Sequence, residues 1–166
     1  MSEPRSEEYF KQFIGKKMGV DKYRIKGRKI SAYAESLGDL NSEFYVAPPE
    51  GDVKADFSGI VAHPAYAATY TIPGLLSQLP EIKGEDGQPL VKNIGKIMHT
   101  AQSYDFEGCV PLTAADKRVV TESEVVDLFI KNEKLWIELL YTTKSEDGSK
   151  IFCKTTIKGL LRKGGF

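Results

Sequence analysis

Asp39 and Asn41 stand two positions apart in "GDLNSEFY" (38–45), directly after "KISAYAESL". A carboxylate can take a proton, and a carboxamide beside it can hold a water or a hydroxyl. The same two residue types also make an ordinary turn after a helix, because both side chains hydrogen-bond nearby backbone. Two histidines, His63 in "VAHPAY" and His99 in "MHTAQS", are the imidazoles available to complete a proton-transfer pair. Each could equally be a satisfied, half-buried ring. With two histidines and two lone cysteines, Cys109 and Cys153, no zinc-type ligand cluster is expected. No G-x-S-x-G elbow and no G-x-G-x-x-G phosphate loop is present.

The elements that would position these residues follow from periodicity. "GVDKYRIK" (19–26) reads as a short strand with Tyr23 and Ile25 on one face. In "RKISAYAESLG", Ile30, Tyr33, Ala34 and Leu37 fall at i, i+3, i+4 and i+7, one helical stripe that Gly38 terminates. Residues 43–59 carry two prolines, two glycines and several acids and read as a connector. "AHPAYAATYTIPGLL" begins a second helix, with Pro64 in its first turn and alanines that let a neighbour approach closely. Pro73 and Gly74 are expected to end or bend it, and 80–90 reads as a surface loop.

From residue 94 the period becomes two. "GKIMHTAQSYDFEG" is strand-like, and so is "RVVTESEVVDLFIKN", with an irregularity expected near Glu124. Leu135, Ile137, Leu139 and Tyr141 share one face of a hairpin that turns at "SEDGS" and returns over 151–162. Helices followed by a run of antiparallel strands give an α+β class, with helices on one face of one sheet. At 166 residues this is one domain, preceded by a segment at 1–15 whose first dozen residues are expected to fray.

Hydrophobic residues make up 41% and charged residues 28%, as in a soluble globular chain. Lys+Arg and Asp+Glu balance at 23 each, so no bulk field attracts nucleic acid or an anionic membrane. No apolar run approaches the ~20 residues of a membrane helix. The polar, acidic start carries no signal-peptide core, and the cysteines lack disulfide-type spacing. A reducing cytoplasm is the expected location.

"SAYAESLGDLN", "GIVAHPAYAAT" and "MHTAQSYDFEGCVPLTAADKRVV" occur in this order, and the ordered set resembles MaoC-like hot-dog proteins over residues 16–162. This family includes (R)-specific enoyl-CoA hydratases and 3-hydroxyacyl-thioester dehydratases. The resemblance implies a single hot-dog domain over 16–166, a curved antiparallel sheet wrapped around a central helix at 64–79. It also implies pairing with another hot-dog chain, as a homodimer or a heterodimer. The family's hydratase motif resembles Gly-Asp-x-Asn-Pro-x-His. Gly38, Asp39 and Asn41 match it, while Ser42 replaces the proline and Phe44 stands where the catalytic histidine belongs.

The implied substrate is an acyl thioester of coenzyme A or of an acyl carrier protein, with no cofactor, no nucleic acid and no membrane. Asp39 and Asn41 are the implied catalytic residues. His63, Tyr66, His99, Gln102 and Phe44 are the implied substrate-binding residues, lining a pocket along the helix that starts at Ala62, under the strand from Ile97 to Phe106. On spacing alone Tyr66 and Tyr70 read as core and interface. "KGRK" (26–29) reads as a solvated helix start, with a coenzyme A phosphate as the alternative. Three functions remain open: hydration or dehydration of a 2-enoyl or 3-hydroxyacyl thioester, alone or with a partner chain; a silent acyl-binding subunit of a hetero-oligomeric dehydratase, which Phe44 suggests; and a hot-dog thioesterase. The last is disfavoured because the central helix holds no Asp or Glu. The N-terminal-type MaoC domains lacking the histidine are the nearest likeness.

Overall fold

The alternation of Leu135, Ile137, Leu139 and Tyr141 produces what period two requires: all four are buried on one face of strand β4 (Lys134–Ser145). In the computed structural model, which describes residues 5–51 and 53–166, β4 is the middle of a five-stranded antiparallel sheet. The order is β1 (Asp21–Arg24), β3 (Arg118–Lys131), β4, β5 (Ile151–Leu161), β2 (Ile97–Asp105). Val125 and Ile157 flank Leu139 in register, so the three strands present one apolar surface. The irregularity expected near Glu124 is a bulge between Val125 and Asp127.

Helix α2 (Gly27–Leu37) buries Ile30 and Ala34, and Ile30 joins Val119 and Phe152 of the sheet in one cluster. Leu37, expected on the same stripe, is half exposed, because the packed part of the stripe ends at Ala34. The central helix starts as a 3₁₀ turn at Pro64–Ala67 and continues as α3 (Ala68–Gln78). The expected break at Pro73–Gly74 does not occur. Pro73 lies on the exposed side, while Leu75 and Leu79 are buried against the sheet, so core packing outweighs the lost helical hydrogen bond.

Gly74 faces inward, and a Cβ there would collide with the Asp21 carboxylate on β1. The glycine therefore leaves room for the Asp21 carboxylate against the helix rather than making a helix stop. Gly74→Ala is expected to cost about 1–3 kcal/mol in denaturant unfolding, and Asp21→Ala in the same chain to recover part of it. Equal stability of Gly74→Ala and the parent would show that α3 can shift without loss.

Two further expectations change. The first dozen residues do not fray over the described part: helix α1 (Glu7–Lys11), capped by Ser6, buries Phe10 completely, and Phe13 follows it into the core. Phe10 meets Phe166 edge-on at 5.6 Å, so both ends of the chain close over one end of the sheet. The 80–90 loop is exposed only in part, because Ile82 and Leu90 are buried and the Leu90 N–H donates to the Ile82 carbonyl. The core has two parts, one around Leu75, Leu79, Leu139 and Leu161, the other around Ile30, Ile60, Tyr66 and Phe152. Among the described residues no helix is long and apolar enough to cross a membrane.

Candidate active site

Gly38 ends α2 at φ 74°, a left-handed conformation that suits glycine, and its N–H returns to the Ala34 and Glu35 carbonyls. The next N–H, of Asp39, also bonds Ala34 O at 3.0 Å. This double closure aims the Asp39 side chain. Its Oδ1 accepts the Asn41 N–H at 3.1 Å, which leaves Oδ2 free of the turn. Asn41 is spent on the turn itself: its Oδ1 accepts the Glu43 N–H at 3.0 Å, and its side chain is exposed.

His63 comes to Asp39 from a distant part of the chain. Val61 N–H bonds Glu43 O and Ala62 N–H bonds Leu112 O, which fixes the strand-like approach to the central helix. His63 then caps the 3₁₀ turn, its Nδ1 accepting the Ala65 N–H at 3.1 Å. That bond assigns the ring proton of the neutral imidazole to Nε2. Nε2 lies 3.6 Å from Asp39 Oδ2. The separation is too long for a direct hydrogen bond and suits two groups converging on one small oxygen. Phe44 packs edge-on against the imidazole at 5.3 Å and holds it in place.

Phe44 and His63 border a cavity of about 200 Å³, lined also by Ala62, Tyr66, Tyr70 and Phe152 among others, and Asp39 stands next to it through His63. Tyr66 is 2% exposed, and its enclosed hydroxyl has no hydrogen-bond partner among the described residues. Burial, then the neighbouring Tyr23 phenol, push its pKa up, so it remains a neutral O–H donor.

The other predicted residues lie elsewhere. His99 is exposed on β2 at a bulge, its Nε2 3.2 Å from Ala101 O, and it borders a second cavity of about 240 Å³ with Ile72, Leu75 and Ile97. Gln102 ties β2 to the central helix, its Nε2–H donating to Thr71 Oγ1 at 3.4 Å. The fold thus gathers Phe44, His63 and Tyr66 at one cavity with Asp39 beside His63, places His99 at another, and leaves the Asn41 amide outside both. Tyr70 and Phe152 complete the first cavity. Phe152 lies on the strand expected to return over 151–162, and nothing in its neighbourhood marked it as a cavity wall.

Both cysteines are free, Cys153 fully buried and Cys109 partly so. Burial raises the Cys153 thiol pKa. Neutral iodoacetamide is expected to alkylate Cys109 well before Cys153 in the folded protein, and both at similar rates in urea, as read by peptide mass spectrometry. Equal labelling in the folded state would contradict the packing around β5.

The FAS1-like, dehydratase domain region family matches residues 12–160. No curated protein matches the chain. Among solved structures, the R-hydratase PhaJ1 of Pseudomonas aeruginosa is similar at 16% identity and TM-score 0.62, covering 92% of this chain and 84% of that one. The MaoC-like dehydratase of Rhodospirillum rubrum is similar at 14% identity and TM-score 0.63, with 92% and 94% covered. The HadBC (3R-hydroxyacyl-ACP dehydratase) complex of Mycobacterium tuberculosis is similar at 10% identity and TM-score 0.60, with 89% and 96% covered. At these identities the likeness is one of fold.

Proposed function

This chain belongs to the FAS1-like dehydratase-region family of MaoC-like hot-dog proteins, and from that premise we propose that it adds water to, or removes it from, an acyl thioester at an Asp39–His63 site. The observation that carries this reading is the convergence of Asp39 Oδ2 and His63 Nε2 beside a mainly apolar cavity. It supplies an imidazole that the loop, with Phe44, lacks.

The tautomer divides the labour. With Nδ1 committed to Ala65, loss of the Nε2 proton would leave an imidazolate, so His63 donates a hydrogen bond and does not carry the proton. Asp39 carries it. In hydration, Asp39 takes a proton from water as the oxygen attacks C3 of the enoyl thioester, and His63 Nε2–H holds that oxygen. Electrons move through C2 to the thioester carbonyl. The Tyr66 ring walls the cavity beside the acyl chain. Asp39 then returns its proton to C2. Dehydration runs the same steps backwards, with the departing hydroxyl taking the proton that Asp39 removed from C2.

The test is absorbance at the enoyl-thioester band with crotonyl-CoA and a longer 2-enoyl-CoA. Turnover that disappears in Asp39→Asn supports the site. A second reading, a silent acyl-binding subunit, is favoured by Phe44 and by the absence of a second proton carrier at Asp39. It is distinguished by thioester binding without turnover, until a catalytic hot-dog partner is added. In both readings a further hot-dog chain pairs along β2, an edge strand of nine residues with Met98 exposed. Two unpaired thiols suit a reducing compartment such as the cytoplasm.

A further inference from the structure

Tyr33 stands on α2 six residues before Asp39, and its side chain reaches the turn that carries His63. Its hydroxyl donates to the Ala65 carbonyl at 2.9 Å. The N–H of the same residue, Ala65, donates to His63 Nδ1 at 3.1 Å. Among the described residues this is the one side-chain hydrogen bond from α2 to the central helix, since Ser31 bonds Val46 and Ser36 bonds the Tyr33 carbonyl. The half-buried ring is held independently, meeting Tyr66 edge-on at 5.4 Å, behind the residues that line the cavity.

The Ala65 carbonyl has no need of the phenol for its own sake. Ala68 N–H already bonds it, so the turn is satisfied without Tyr33. What the phenol adds is a fixed separation between α2 and the start of the central helix. Asp39 is set by α2, through the Gly38 cap and its own N–H bond to Ala34 O. His63 is set from two sides, by the backbone bonds of Val61 and Ala62 before it and by Ala65 after it. The bonds before it run to Glu43 and Leu112, outside α2. The Ala65 side is the one tied to the helix that delivers Asp39.

That tie bears on the proton. A neutral imidazole carries one N–H, and the bond made by one ring nitrogen decides which tautomer is present. With the Ala65 N–H out of line, the ring takes either tautomer, and the Nδ1–H form presents Asp39 with a bare lone pair instead of a donor. We infer that Tyr33 is a positioning residue for the Asp39–His63 pair: it holds Ala65 where the Ala65 N–H keeps the His63 proton on Nε2, facing Asp39 Oδ2, a part in turnover that rests on the thioester reading above. Tyr33 touches no reacting atom and acts through Ala65.

Nitrogen NMR of the full chain labelled with 15N-histidine reads the tautomer without any substrate. The chain has two histidines, so His63→Gln assigns the spectrum and exposed His99 serves as the internal reference. At about pH 8, above the ordinary imidazole range, His63 of the parent is expected to carry its proton on Nε2 with Nδ1 bare. Tyr33→Phe keeps the ring that meets Tyr66 and leaves Ala65 O bonded to Ala68, so it folds with a Tm near that of the parent. In this variant the His63 nitrogens are expected to move toward the averaged shifts of two exchanging tautomers, with His99 unmoved. In turnover, Tyr33→Phe should lower kcat about three- to tenfold at an unchanged KM, the size of one hydrogen bond. It should cost nothing further in a His63→Gln background. A parent with the His63 proton on Nδ1 overturns the inference, and so does an unchanged His63 spectrum in Tyr33→Phe. Equal shifts at His63 and His99 overturn it too, since they report general loosening. A chain that binds thioester without turning it over defeats the catalytic reading alone, and the tautomer result stands separately.

Discussion

Asp39→Asn is expected to lower hydration of a 2-enoyl thioester by about 10²–10⁴-fold, the range typical of losing a positioned general base. The substitution is chosen because Asn keeps an oxygen for the Asn41 N–H, and so preserves the turn that follows Gly38. Only the capacity to accept and return a proton goes. Thermal unfolding should therefore stay near that of the parent, which separates a chemical effect from a structural one. His63→Gln should fall less steeply than Asp39→Asn, since a hydrogen-bond donor remains possible there while no proton is carried. Equal losses in both would show that His63 carries a proton after all. Undiminished turnover in Asp39→Asn would move the chemistry away from this cavity. A parent chain that binds thioester but turns none over would favour the silent-subunit reading and make Phe44→His the informative variant.

The largest effect on stability is expected from Phe10→Ala, a loss of about 3–5 kcal/mol as for other buried phenylalanines. For a chain of this length that corresponds to a fall in Tm on the order of 10 °C. Phe10 is completely buried and meets three aromatic rings, Tyr9 at 5.3 Å, Phe13 at 6.4 Å and Phe166 at 5.6 Å. Truncation leaves a hole that a five-residue helix and a chain end must collapse to fill. Denaturant unfolding of the variant measures it. A change below about 1 kcal/mol would mean that the first turn of the chain detaches at little cost and that the core proper begins later.

What could be read without the structure was whatever has a short period. Leu135, Ile137, Leu139 and Tyr141 identify their face within four alternations, and Gly38 marks the end of α2 by the conformation it alone tolerates well. The ordered set of motifs pointed to the hot-dog sheet and its central helix, which the strand order and the family match bear out. Pro73 misled because a local rule about helix breaking was outweighed by burial of Leu75 and Leu79, which lies in the tertiary packing. Residues 5–12 misled because their partners, strand β3 and Phe166 among them, lie far along the chain.

The candidate site divides along the same line. Asp39 and Phe44 were legible because a turn and a motif are contiguous, and His63 was legible as one of two available imidazoles. Their meeting was not, because it depends on the Val61–Glu43 and Ala62–Leu112 hydrogen bonds that bring three separated segments together. Positive charge is the same case: "KGRK" is visible as a run, but Arg24 meets Arg118 only through the β1–β3 register. By itself the sequence determined the elements, their order and the chemistry each residue can offer, since propensity, periodicity and side-chain type are local properties. Only the tertiary structure decided which carboxylate faces which imidazole and where positive charge accumulates, because those follow from distances between residues far apart in the chain.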